Sequence, residues 1–304
     1  MVQRRLMVIV TLIISLSIGI AWAVCRPRTH GPDLRTFSAM TFNVGDVGRR
    51  AFPVADTAAC IQAGERPDLL FLQEMPVGKS GRELQAALSY PYRSMATTGQ
   101  GKLARLMVLS VFPIAETREI VLPSRSKGAG ALCAVVDVGG EMIEACSVHL
   151  DEIEPKPRNT NGDVVLTAME IFRFLRMEFF RDTVRTQSVR ALTDAIMKDT
   201  DMPVIFGGDF NTVPGSRTIR HMSGLFRDAL WPTPAYFTGT YHKIAFPINP
   251  RIDYLFVSNQ LVARDSRVVR RSAGDHYPVK AIMELKIRKT DGFPGIRTFG
   301  GAGQ

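Results

Sequence analysis

Six apolar runs in this sequence begin or end on side chains that can do chemistry. "TFNV" carries Asn43, and "LLFLQEM" ends in Gln73-Glu74. "CSVHLD" ends in His149 and Asp151, and "VIFGGDFN" ends in Asp209 and Asn211. "RIDYLFV" opens near Asp253, and "SAGDHYPV" carries Asp275-His276. Alternate residues of a strand share a face, so Asp209 and Asn211 leave the sheet edge together before Pro214-Gly215 turns the chain. Carboxylates and an amide carbonyl suit a hard divalent cation such as Mg²⁺ or Mn²⁺. Two histidines with acidic partners suit proton transfer and charge stabilisation. One such residue is an ordinary loop or cap feature; six strands behaving alike call for a common cause. The sequence contains no serine or cysteine nucleophile motif and no phosphate-binding P-loop.

These residues need elements to hold them. The spacing predicts strands at 36–44, 67–75, 103–114, 118–122, 202–211, 251–261, near 267–270 and at 275–285. Two more strands flank Gly139-Gly140 as a hairpin. Helices are predicted over 53–64, 81–89, 164–199 and 216–230. Strands alternating with helices, with no linker between residues 36 and 288, predict one large α/β domain.

The matching stretches "TFNV", "FLQE", "LSVFPI", "SVHLD", "GGDFN", "RIDYLFVS" and "GDHYPV" together resemble the endonuclease/exonuclease/phosphatase superfamily. The resemblance spans residues 36–285 and keeps the family's order. It implies an α/β four-layer sandwich, two stacked mixed β-sheets flanked by helices, with the site at one rim. It also implies roles. Glu74 matches the family's metal-binding glutamate, Asn43 the asparagine beside it, and Asp275 an acid that can join the metal. Asp209 and Asn211 match the pair that aligns the attacking water. His276 matches the histidine facing the scissile phosphate, Asp253 the acid that orients it, and His149 a second phosphate-facing histidine. There are departures from the family. Gly45 stands where the abasic-site branch has an acid, Thr212-Val213 where the inositol phosphatase branch has Tyr-Arg, and Val111 where many members carry arginine.

The composition of the 304 residues, 45% hydrophobic and 22% charged, is that of a globular protein with a large core. The net charge of +9 suits a polyanion, nucleic acid or an anionic membrane. Residues 1–25 begin with Arg4-Arg5 and continue as an uncharged apolar stretch from Leu6 to Cys25, with Ala21-Trp22-Ala23 as a small-x-small cleavage pattern. The stretch is long enough for a bilayer of ~30 Å. A cleaved signal peptide and a membrane anchor both fit, and both export the remaining domain. The divisions expected are thus 1–25, a linker at 26–35, the domain at 36–288 and a flexible Gly-rich tail at 289–304.

The four cysteines lack C-x-x-C spacing, so no structural zinc site is expected. A two-residue Gly139-Gly140 turn pairs 138 with 141, and counting outward sets Cys133 opposite Cys146 at a non-hydrogen-bonded pair, where side chains are closest. A disulfide and two buried thiols are the alternatives. In "DVVLTAMEIFRFLRMEFFR", 163–181, Val164, Val165, Ala168, Met169, Phe172, Leu175, Phe179 and Phe180 share a broad helical face of core type. Leu166, Ile171, Phe174 and Met177 fall outside it among charges, a pattern that fits burial on both sides or contact with a membrane or partner. The function classes in play are an exported or anchored metal-dependent phosphodiesterase and an inactive binding module on the same fold. For the enzyme, the substrate would be nucleic acid, as for a nuclease, or a phospholipid, as for a sphingomyelinase or phospholipase C. No protein partner is indicated.

Overall fold

The structure is a computed structural model. It describes residues 34–45, 52–96, 105–125, 128–152, 159, 163, 165–199, 201–244 and 249–286. Among the described residues no helix is long and apolar enough to cross a membrane. The segment 1–25 read as signal or anchor, and the tail 289–304, lie outside the described residues.

The elements in chain order are β1 (Leu34–Asn43), α1 (Val54–Ala63), β2 (Leu69–Gln73), α2 (Ser80–Ala87), β3 (Tyr92–Met95), β4 (Met107–Ser110), β5 (Ile114–Leu122), β6 (Ala129–Val138) and β7 (Glu141–His149). Then come α3 (Ala168–Phe180), α4 (Val184–Asp199), β8 (Val204–Asp209), α5 (Arg217–Leu225), β9 (Arg227–Asp228), a 3₁₀ turn (Pro234–Phe237), β10 (Asp253–Val257), β11 (Leu261–Val268) and β12 (Val279–Lys286). They build two six-stranded sheets, in the orders β11-β12-β1-β2-β4-β3 and β5-β6-β7-β8-β10-β9. Both are mixed: β1 runs parallel to β2 and β7 parallel to β8, amid antiparallel pairs.

Period-two alternation assigns each strand residue to a layer. Phe37, Ala39, Leu69, Phe71 and Val108 of the first sheet meet Leu132, Ala134, Ile143, Ala145, Ile205 and Leu255 of the second in one core. Met40, Phe42, Leu70 and Leu72 point the other way, onto Ala58 and Ile61 of α1 and Leu84 of α2. On the second sheet Val148, Phe206, Tyr254 and Phe256 point outward onto Val189, Leu192 and Ile196 of α4 and Ile219 and Met222 of α5. Helix, sheet, sheet, helix is the four-layer sandwich expected.

The same alternation explains the polar strand ends. Phe37 and Ala39 on the inner row of β1 are followed by Thr41 and Asn43. On β7, Ile143 and Ala145 are followed by Ser147 and His149, and on β8 Ile205 is followed by Gly207 and Asp209. The rows stay inside the sandwich and change from apolar to polar at one end.

Several boundaries differ from the sequence reading. The strand expected over 103–114 stops at Ser110. Its hydroxyl donates to the Phe112 carbonyl and accepts from the Phe112 amide, and this turn hands the chain from the first sheet to the second. The helix expected over 164–199 breaks at Arg181, whose backbone is extended, and Thr183 then accepts from the Thr186 amide. The helix over 216–230 ends at Leu225, where Phe226 becomes extended and leads into β9. Strand β3 carries no clear alternation, and the spacing does not predict it.

Gly139 and Gly140 have φ of +62° and +98°, the two-residue hairpin turn that the right-handed twist favours. The pairing of Val138 with Glu141 runs on to Cys133 opposite Cys146. The two cysteines form a disulfide.

The helical face read as core in 163–181 does not lie against the core. Met169, Phe172 and Phe180 are 71, 64 and 72% exposed. The helix is held instead by Glu178, 1% exposed, which accepts from Arg185 and from the Thr212 hydroxyl. A buried ion pair overrides the apolar stripe.

Candidate active site

Strand register sets the first row of the site. His149 pairs with Asp209 across β7 and β8, and Asp209 pairs with Asp253 across β8 and β10. Three adjacent strands therefore present His149, Asp209 and Asp253 side by side. The facing sheet contributes Asn43 paired with Gln73, from β1 and β2. Asn43 joins the sheets, since its side-chain nitrogen donates to Asp209 Oδ2 at 3.0 Å and to Glu74 Oε1 at 3.3 Å. Glu74 follows β2 at φ +59°, a left-handed turn that takes the chain out of the strand.

Asp209 is the centre. Its Oδ1 accepts from the Asn211 amide at 2.8 Å. Its Oδ2 faces Asn43, His149 Nε2 at 3.5 Å and His276 Nε2 at 3.9 Å. His149 Nε2 also lies 3.8 Å from Glu74. Asn211 has φ +52° and its side-chain nitrogen donates to the Leu150 carbonyl. This locks the corner after β8 to the corner after β7.

His276 Nδ1 and Asp253 Oδ2 are 2.8 Å apart. Burial works against a charged imidazole here, but the Asp253 carboxylate, its hydrogen bond, and then Asp209 and Asp275 outweigh it and push the His276 pKa up to about 10. This direction favours the imidazolium, in which Nδ1 donates to Asp253 and Nε2 carries a proton facing the site. Tyr241 bridges to its backbone, with the two rings 5.1 Å apart.

The sequence-derived set, Asn43, Glu74, His149, Asp209, Asn211, Asp253, Asp275 and His276, is thus linked by contacts in one place. Asp275 lies 3.9 Å from His276 Nε2. Its Oδ1 sits over Gly45, where a Cβ would come within 2.1 Å. The departure from the abasic-site pattern follows: with this backbone any side chain at 45 collides with Asp275.

Four carboxylates, Glu74, Asp209, Asp253 and Asp275, converge here with two histidines and two amides, Asn43 and Asn211. Among the described residues the buried oxygens Asp275 Oδ1 and Asp253 Oδ1 have no hydrogen-bond partner. Buried carboxylate oxygens without partners, in a set of hard oxygen donors, fit a divalent cation. Among the described residues, ligand atoms of Asp209, Asp253 and His276 lie within 4.8 Å of one another, a closeness that the His276–Asp253 pair explains. The other such group, Cys133, Glu144 and Cys146, contains the disulfide. As placed, Asn43 acts as a donor that ties Glu74 to Asp209, with its oxygen accepting from the Gly45 amide.

Sequence reading noted Gln73 as a polar strand end but gave no role to what lies beneath and behind the site. Gln73 accepts from Thr41 at 3.3 Å and donates to Ser147 at 3.0 Å, and Ser147 donates to the Leu72 carbonyl. These buried residues form a hydrogen-bonded floor between the sheets. Gly207 and Gly208 are required by close approach, to Phe71 and to the Val148 carbonyl. Asp151, noted as polar, is structural: it accepts from Ser124 and the Arg125 amide. The inner-row alternation is the signal in the sequence that could have assigned Gln73 and Ser147 to this floor.

A sandwich carrying paired histidines and carboxylates at one rim is the framework of a phosphoric ester hydrolase. The endonuclease/exonuclease/phosphatase family profile matches residues 40–276, and the chain belongs to that family. No curated protein sequence matches the chain. Among solved structures, an endonuclease/exonuclease/phosphatase from Bacteroides vulgatus superposes with TM-score 0.60 at 16% identity, over 83% of this chain and 99% of that one. One from Beutenbergia cavernae gives 0.57 at 18%, over 83% and 72%. D. rerio TDP2 complexed with single strand DNA product gives 0.59 at 18%, over 82% and 98%. At these identities the likeness is one of fold.

Proposed function

We propose that this protein is an exported or membrane-anchored, metal-dependent phosphodiesterase. The observation that carries the reading is Asp209 Oδ2, faced by Asn43, His149 and His276 from three other strands or loops. Glu74 and Asp275, with Asn43, would hold Mg²⁺ or Mn²⁺. The cation would offset the negative charge that develops on a phosphoryl oxygen. Asp209, fixed through both oxygens, and Asn211 orient the attacking water. His276, held charged by Asp253, and His149 donate to phosphoryl oxygens on the other side, where donors fixed beforehand lower the barrier most.

The net charge of +9 favours nucleic acid as the diester. The likeness in fold to TDP2 complexed with a single strand DNA product supports the same reading. A phospholipid diester is the second reading, favoured by the exposed apolar face of α3. The test is hydrolysis of plasmid DNA and of sphingomyelin liposomes by the full chain, with Mg²⁺ and with excess EDTA. Cleavage of one substrate, abolished by EDTA and restored by Mg²⁺, is expected. Cleavage that survives exhaustive chelation overturns the metal role, and failure on every diester leaves a binding module on the same fold.

A further inference from the structure

Helix α3 stands apart from the other helices in how it meets the rest of the protein. Its inner side holds the buried Glu178–Arg185 pair, with Phe174 beneath the Arg185 guanidinium. At 100° per residue, the opposite side carries, in angular order, Phe172, Arg176, Met169, Phe180, Arg173 and Met177. All six are exposed, and the four apolar ones are between 44 and 72% accessible. No carboxylate lies on that side. Glu170 is engaged in the capping box with Thr167, and Glu178 is buried.

A soluble helix shows water its polar face. Here large apolar side chains and arginines are interleaved on the solvent side. A protein-binding stripe concentrates apolar residues and leaves charge to its rim. Interleaved Phe, Met and Arg suit a lipid interface. The rings and thioethers enter the acyl boundary while the long arginine stems reach back to anionic headgroups. Glu178 accepts from Thr212, next to Asn211, and Arg220 of α5 donates to the Phe179 carbonyl. The packed side of α3 is thereby tied to the corner that carries Asn211.

We propose that α3 is an interfacial helix that seats this protein on an anionic lipid surface through Phe172, Phe180, Met169 and the flanking arginines. This surface does not depend on catalysis or on bound metal.

Residues 1–25 can bring the chain to a vesicle on their own, so bulk binding does not test the helix, whereas local amide exchange does. The experiment is hydrogen exchange on the full chain, alone, with vesicles of phosphatidylcholine and phosphatidylglycerol in equal parts, and with single-stranded DNA. The expected result is exchange slowed roughly tenfold across 168–180 by vesicles, with 217–225 unchanged. The Phe172→Ser, Phe180→Ser double variant should lose that protection while keeping its thermal midpoint, since both rings are already in water. Unchanged exchange with vesicles overturns the proposal, as does equal protection in the double variant. Protection by DNA in place of vesicles assigns the face to nucleic acid. Protection that grows with protein concentration alone assigns it to a second copy. Either of those outcomes also overturns it.

Discussion

Among the described residues, one oxygen of the Asp253 carboxylate pairs with His276 and the other has no hydrogen-bond partner. The carboxylate fixes the ring and stabilises its charge, so Asp253→Asn should keep the shape and lose the field. Turnover is expected to fall by ~10²-fold, the usual scale for lost oriented electrostatic help. From sequence the pair reads as rim residues with little packing at stake. In the structure Asp253 is fully buried and His276 nearly so, so His276→Ala should lower the thermal midpoint as well as turnover. Measuring kcat beside the midpoint for both variants separates the roles: an Asp253→Asn enzyme with normal kcat would show the pair to be structural.

At the scale of elements, two cross-links carry consequences. Glu178, Arg185 and Thr212 tie α3 to α4 and to the corner after β8, and Arg185 also donates to the Asp151 carbonyl after β7. Removing one member strands a buried charge, which costs about 3–5 kcal/mol. Glu178→Ala should therefore destabilise the protein strongly and expose α3 to proteolysis, read by denaturant unfolding and limited digestion. A change under ~1 kcal/mol would mean the pair is solvated. The second cross-link is Cys133–Cys146, on adjacent strands with a sequence separation of 13. Closing so short a loop should contribute only ~2–3 kcal/mol. Thiol titration of the unfolded, unreduced full chain is expected to find two reactive thiols, Cys25 and Cys60. Four would show the bridge to be absent in solution.

Over the whole molecule the excess of positive charge acts at long range. If the substrate is nucleic acid, kcat/KM should fall steeply as salt rises, because phosphate contacts release counterions, while kcat changes little. A flat salt profile on DNA would remove the electrostatic argument for that substrate. It would shift weight to lipid diesters, to which the exposed α3 face already points.

The sequence by itself determined the family, most of the strands along the chain and eight polar residues that the structure links by contacts. Each of those is written locally: an apolar run sets a strand, its parity sets a face, and a polar residue on the inward parity marks the end that opens. Even the Cys133–Cys146 pairing could be counted from Gly139-Gly140. Tertiary structure decided what locality cannot carry. The run through Leu109 and Phe112 reads as one strand, because nothing in its period says that Ser110 turns it into the second sheet. Gln73 and Ser147 read as strand polars until two sheets meet and make them a floor. The apolar face of α3 reads as core, since the spacing of its apolar residues is the same whether that face meets a protein interior or something else. The Glu178–Arg185 pair, made between two helices, is what turned that face outward.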